Sequence, residues 1–155
     1  MGILPARAKS GLTVIIGCGR LGASVANAIS DAGGDVLVMD KDKGAFRKLS
    51  PSFGGLTVTG DGTDLDALRD AKVSEAQAVI VVTNNDNTNI MAAQLAREVY
   101  KATHVIARLY DSDREFVYHE LGIHSVCPSL LSVMEIQRVM GGLRAAEPAK
   151  TPVTA

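Results

Sequence analysis

Residues 17–22 read Gly17-Cys18-Gly19-Arg20-Leu21-Gly22, three glycines spaced G-x-G-x-x-G. That spacing suits phosphate chemistry. Gly17 permits a tight turn, Gly19 leaves the backbone bare for a phosphate to approach, and Gly22 lets a following helix pack close to the strand before it. The start of that helix adds free N–H groups and a partial positive charge. Eighteen residues beyond Gly22, at the end of the apolar run Val36-Leu37-Val38-Met39, stands Asp40. An acid at a strand tip is placed to accept hydrogen bonds from ribose hydroxyls. With Val14-Ile15-Ile16 ahead of the glycines, Val14 to Asp40 reads as a dinucleotide-binding fingerprint in its strand–helix–strand context. The alternative is a glycine-rich turn that only packs tightly.

A fingerprint needs elements to hold it. Leu12 to Ile16 predicts a strand buried on both faces, because it is almost wholly apolar. Leu21, Val25, Ala28 and Ile29 form one helical face, which Gly33-Gly34 ends. Asp35 to Asp40 is a second strand, and a short helix from Lys43 to Leu49 stops before Pro51. Leu56 to Thr59 is a third strand leading into Gly60-Asp61-Gly62-Thr63; Asp64 then caps a helix to Asp70 with Leu65 and Leu68 facing in. Ala78 to Val82 is the most apolar strand. Thr83 to Asn87 leads into a helix to Tyr100 with Met91, Leu95 and Val99 at i, i+4, i+8. His104 to Leu109, a helix from Asp113 to Leu121, Ser125 to Cys127 and a helix from Pro128 to Leu143 follow. Residues 1–10 read as a flexible arm, 11–143 as one domain, and 144–155 as a disordered tail.

Strict alternation of strand and helix predicts an α/β fold, a three-layer doubly wound parallel sheet of Rossmann-like order 3-2-1-4-5-6. The crevice then opens between strands one and four at their carboxyl ends. Strand tips gather Asp40, Lys41, Asp61 with Gly62, Thr83, Asn84 and Arg108 on its rim. Asp61 is a candidate for an adenine edge, Thr83 and Asn84 for a second ribose or distal phosphates, and Arg20 and Arg108 for phosphate oxygens. Each has a structural alternative: Asp61 as a turn cap, Thr83 to Asn87 as a helix cap, Arg108 as a surface ion-pair member. Asp40 repels a 2′-phosphate, which disfavours NADP, although Lys41 beside it opposes that effect. The last helix bears Leu130, Leu131, Val133, Met134, Ile136, Val139, Met140 and Leu143, more than one sheet face can bury. Part of it is expected at a subunit interface; the alternative is a helix docked wholly on its own domain.

Bulk composition narrows the function classes. At 155 residues, 46% hydrophobic and 21% charged, the chain has the size and composition of one globular domain. Sixteen basic against seventeen acidic side chains leave no cationic excess, so nucleic acid is disfavoured as a partner. No apolar run reaches membrane-spanning length, and the start lacks a signal-peptide core. Cys18 and Cys127 are distant and form no C-x-x-C, which suggests a cytoplasmic protein without a disulfide.

Six motifs in order closely resemble a known family. They are Ile16 to Gly22, Gly60-Asp61-Gly62-Thr63, Ala78 to Asn84, Asn87-Thr88-Asn89, Ile106-Ala107-Arg108 and Leu121-Gly122-Ile123. Together, over residues 11–141, they resemble the N-terminal nucleotide-binding domain of Trk/Ktr-type potassium-transport regulators, also called KTN or RCK. The resemblance implies a cytoplasmic regulatory subunit that binds NAD(H) or an adenine nucleotide (ATP, ADP or AMP). It implies homodimers or rings that meet a membrane potassium channel or transporter at the inner face, with the final helix crossing to a partner. It also implies nucleotide-holding roles for Gly17, Gly19, Arg20, Gly22, Asp40, Gly60 and Asp61. The family often continues into a second, smaller lobe, which is not seen before Ala155. A stand-alone sensor, a lobe on another chain and a shortened chain are the alternatives.

Two other functions compete. A small NAD-dependent oxidoreductase needs a proton-transfer group and a substrate site. No Tyr-x-x-x-Lys pair exists, and His104, His119 and His124 are expected away from the strand tips. His119, Glu120 and His124 are poorly spaced for a metal, so none is expected. The third reading is a structural subunit with a vestigial pocket.

Overall fold

The computed structural model describes residues 11–145. The arm expected over residues 1–10 and the tail beyond Ala145 lie outside the described residues. Six parallel strands form one sheet: β1 Thr13–Ile16, β2 Val36–Asp40, β3 Leu56–Thr59, β4 Ala78–Val81, β5 His104–Arg108 and β6 His124–Val126. Their order is β3-β2-β1-β4-β5-β6, the doubly wound order expected from the sequence. The helices are α1 Arg20–Asp31, α2 Leu65–Asp70, α3 Asp86–Gln94, α4 Glu115–Glu120 and α5 Pro128–Ala145. The short helix after Asp40 is a 3-10 turn, Lys43–Lys48, whose N-cap Asp42 accepts a hydrogen bond from Gly44 N. The helix expected from Asp113 to Leu121 divides into a 3-10 turn, Ser112–Arg114, and α4.

Alternation along the strands builds two unequal cores. Val14 and Ile16 of β1 join Leu37, Met39, Val79, Val81, Val105 and Ala107 on the face covered by Leu68 of α2, Ala92 and Ala93 of α3, and Tyr118 of α4. Ile15 points the other way, with Val36 and Val38, against Ala23 and Ala26 of α1 and Ala45 of the 3-10 turn. Each fully buried branched side chain contributes roughly 1.5–3 kcal/mol relative to exposure. The first face is therefore the main source of stability. On the second face, Ile80 and its β5 register partner Ile106 are only partly buried, whereas Val79, Val81, Val105 and Ala107 on the first face are buried.

Three expected core positions face out. Met91 and Val99 are 49% and 52% exposed, and Leu65 is 47% exposed. The large apolar residues of α3 do recur with helical period, but its inner face is the small set Asn89, Ala92, Ala93 and Ala96. Small side chains let the helix lie close to the sheet, and that close packing sets the phase. After Gln94 the helix widens into a π turn, Leu95–Val99. In α2 the single inward anchor is Leu68.

α5 differs from the rest. Every residue from Ser129 to Leu143 is exposed. The helix runs two residues beyond Leu143, where the tail was expected to begin. Among the described residues, no helix is long and apolar enough to cross a membrane.

Candidate functional site

The glycine loop is shaped by contacts that leave no room for a side chain. Gly17 has φ +105°, and a Cβ there would lie 2.9 Å from Thr83 N. Beneath the loop, a Cβ on Gly22 would lie 1.9 Å from the Gly17 carbonyl oxygen. α1 packs that tightly on the turn because Gly22 has no side chain. At Gly19 the opposite holds: the space a Cβ would enter is open. Gly19 is the N-cap of α1 and supplies no side-chain acceptor, and the first turn contains no acid. α2 and α3 instead have Asp64 and Asn85 accepting their first N–H groups. The first N–H groups of α1 therefore face an open space that suits an anion.

Asp40 ties the loop to β2. Its Oδ2 accepts the Cys18 N–H at 2.7 Å and its Oδ1 accepts the Asp42 N–H at 2.8 Å. Each carboxylate oxygen retains a further lone pair for a hydroxyl donor. Cys18 is buried, and burial followed by the Asp40 charge raises its thiol pKa, with Lys48 opposing. The thiol is held in its protonated, unreactive form.

These groups line a cleft of about 450 Å³ at the carboxyl ends of the strands. Of the residues singled out in the sequence, Gly17, Cys18, Gly19, Asp40, Lys41, Asp61, Gly62, Thr83, Asn84 and Arg108 are on its wall. Arg20, Leu21 and Gly22 are not. Arg20 is exposed at the start of α1, Leu21 packs among the α1 core residues, and Gly22 lies under the turn. The first turn of α1 offers the cleft its backbone rather than its side chains.

Asp61 both caps its turn and lines the cleft. Its Oδ1 accepts from Thr63 Oγ1 at 2.7 Å and from Thr63 N at 2.8 Å. The hydroxyl bond first, then the backbone one, holds its carboxyl below the usual range, so it stays charged. Thr83 differs from expectation. Its N–H and its hydroxyl both donate to Asn89 Oδ1, at 3.0 and 2.6 Å, so the hydroxyl proton points into the protein rather than toward a ligand.

Arg108 closes the far end. Its guanidinium lies over the Tyr110 ring, 4.2 Å from the centroid. Its Nε is buried with no hydrogen-bond partner among the described residues. A buried donor without a partner is costly. Arg108 itself is on the cleft wall, where its guanidinium suits an anionic oxygen.

Sequence reasoning missed Asp42, Lys48, Thr63 and Thr88 on the wall, and Asn89 behind it. Asp42 and Lys48 bracket the 3-10 turn beside Asp40, a proximity readable in the sequence. Asn89, the only fully polar side chain among the buried described residues, gave a weaker signal: an asparagine one helical turn after the cap Asn85.

Together the fold and cleft define a Rossmann-like domain with a crevice lined by charged and polar residues at its strand tips. The chain belongs to the TrkA-N domain family, whose model matches residues 13–129. It is 49% identical over 113 residues to the Trk system potassium uptake protein TrkA of Streptomyces coelicolor, covering 73% of this chain and 51% of that one. The chain spans about half the length of the curated relatives it matches. Solved structures share the fold. The GsuK channel bound to NAD superposes with TM-score 0.75 at 23% identity, over 90% of this chain and 25% of that one. The Shewanella denitrificans Kef CTD in AMP-bound form gives TM-score 0.75 at 20% identity, over 88% and 83%.

Proposed function

We propose that this chain is a regulatory nucleotide-binding domain of a potassium-uptake system, holding NAD(H) or an adenine nucleotide (ATP, ADP or AMP) in the strand-tip cleft. The observation behind it is the polarity of that cleft. Asp40, whose oxygens keep lone pairs beyond the bonds from the Cys18 and Asp42 N–H groups, is placed for hydroxyl donors at one end, and the Arg108 guanidinium suits an anion at the other. The NAD-bound and AMP-bound neighbours and the TrkA relative support the same reading. Asp40, placed for ribose hydroxyls, disfavours the 2′-phosphate of NADP, an effect that Asp42 adds to and that Lys41 and Lys48 on the same wall oppose.

In this reading the domain works on the cytoplasmic side of the membrane through a channel or transporter partner. A second copy covers α5. Its eight large apolar side chains from Leu130 to Leu143 are 43–62% exposed, and the sheet face at Ile80 and Ile106 lacks full cover. Signalling follows when a nucleotide prefers one dimer arrangement over another; equal affinity for both shifts nothing.

A thermal-shift titration against NAD, NADH, NADP, ATP, ADP and AMP tests the binding. A ligand at 100 times its Kd adds about 2.7 kcal/mol, read as a raised melting temperature. NADP is expected to stabilise least. A flat response to all six overturns the reading. Sedimentation tests the dimer: wild type is expected as a dimer or larger, and Ile136→Glu as a monomer. A monomeric wild type at high concentration would sink that part.

A further inference from the structure

Two side chains on the first turns of α3 hold three backbone groups of the β5 tip. Asn89 Nδ2 donates to the Arg108 carbonyl at 3.1 Å. Asp86 Oδ1 accepts the Tyr110 N–H at 2.9 Å, and its Oδ2 accepts the Asp111 N–H at 3.0 Å. Spaced i, i+3, the two side chains lie on one helix face. They fix the backbone of Arg108 and of the residue whose ring lies under its guanidinium.

Asn89 also reaches across to β4. Its Oδ1 accepts from Thr83 N and Oγ1, and its Nδ2 donates a second bond to the Thr83 carbonyl at 3.2 Å. Two donors face the oxygen and two carbonyls face the nitrogen, so only this orientation of the amide satisfies all four. The side chain is fully buried and does not line the cleft. Burying a polar amide costs free energy unless every bond is made, and here the bonds join the two strand tips that form the distal wall.

We propose that Asn89, with Asp86 beside it, is the positioning residue for anion recognition: it sets the height at which Arg108 presents its guanidinium to the phosphate of a bound nucleotide. This rests on the nucleotide reading above. Asn89 touches no ligand, and its effect is selective. It acts on the phosphate end, through Arg108, and leaves the adenosine end at Asp40 unchanged.

The test compares ADP with adenosine by calorimetry on wild type, Asn89→Ala and Asp86→Asn. Wild type is expected to prefer ADP. Asn89→Ala should reduce the ADP-to-adenosine affinity ratio about tenfold, the scale of one lost hydrogen bond to a charged-group scaffold. Adenosine affinity itself should hold. Asp86→Asn keeps one acceptor oxygen and should reduce the ratio by less. A lower melting temperature with an unchanged ratio, or parallel weakening of both ligands, makes Asn89 structural only and overturns the proposal. If Asn89→Ala does not fold, wild-type NMR decides. The Asn89 side-chain amide should shift with ADP and not with adenosine, and an equal or absent response overturns the proposal. Wild type binding neither ligand would instead bring down the nucleotide reading, and this proposal with it.

Discussion

The two walls of the cleft are built in different ways. On the β1–β2 side the phosphate-facing part of the wall is backbone, a glycine loop and bare N–H groups at the start of α1, with the Asp40 carboxylate tied to the loop by Cys18 N–H. On the β4–β5 side it is side chain: a guanidinium on an aromatic ring, braced from behind by a buried amide. A backbone wall has few ways to move and presents one geometry. A side-chain wall can be tuned one residue at a time. The first suits what adenine nucleotides share, the second what distinguishes them.

The sharpest way to break the comparison is within the glycine loop itself. Gly22→Ala places a methyl 1.9 Å from a carbonyl that cannot retreat, and should cost on the order of 3 kcal/mol or abolish folding. Gly19→Ala enters open space at φ −76° and should change stability by less than about 0.5 kcal/mol while weakening phosphate binding. Urea denaturation of both variants measures the contrast. Equal losses would mean that the loop is not the rigid member.

The second test is set by pH. Tyr118 is fully buried, and its hydroxyl donates to the Asp86 carbonyl at 3.3 Å. Burial, then the Asp86 charge, pushes its pKa up to about 12, with Arg114 opposing. Because the folded state holds this proton more tightly than the unfolded one, its stabilisation is complete below about pH 10 and lost as pH rises toward 12, roughly 2–3 kcal/mol in all. Stability measured from pH 9 to 12 should fall in that window, and Tyr118→Phe should flatten the fall.

Next come the two ends of the ligand. Arg108→Ala should weaken ADP roughly 10–100-fold, the range for a lost charged hydrogen bond, with little change in the melting temperature of the free protein. Asp40→Asn should weaken ADP and adenosine alike, since it acts at the shared end. Identical selectivity in the two variants would erase the division between the walls. The smallest effect is expected on the outer face of α3, where Met91→Gln should change stability by no more than about 0.5 kcal/mol.

The backbone wall was legible in the sequence because its parts are local. Gly17, Gly19, Gly22 and Asp40 act through turn geometry and strand ends, which neighbouring residues dictate. The sheet order followed from alternation for the same reason. The side-chain wall was half legible. Arg108 was visible as a cation at a strand tip, but its brace was not: the cap reading stopped at Asn87, and Asn89 stood only in the motif Asn87-Thr88-Asn89 with no role of its own. Asn85 does cap, accepting Thr88 N–H at 3.0 Å, while Asn89 four residues on does something local sequence cannot encode: it joins two strands. Met91 and Val99 misled in a related way. Their period was right, but the phase of α3 was set by small residues that let it approach the sheet.

α5 has a mechanical consequence. At 18 residues it is about 27 Å long, and it leaves the sheet at Pro128, with Leu131 N–H bonded to the Cys127 carbonyl at its base. A tilt of about 5° at that base would displace the far end by about 2 Å. β5, with Arg108 at its tip, pairs directly with β6, which ends two residues before the helix begins. Among the described residues, α5 thus stands as a long exposed helix one strand away from the guanidinium, a geometry that would magnify any movement at its base.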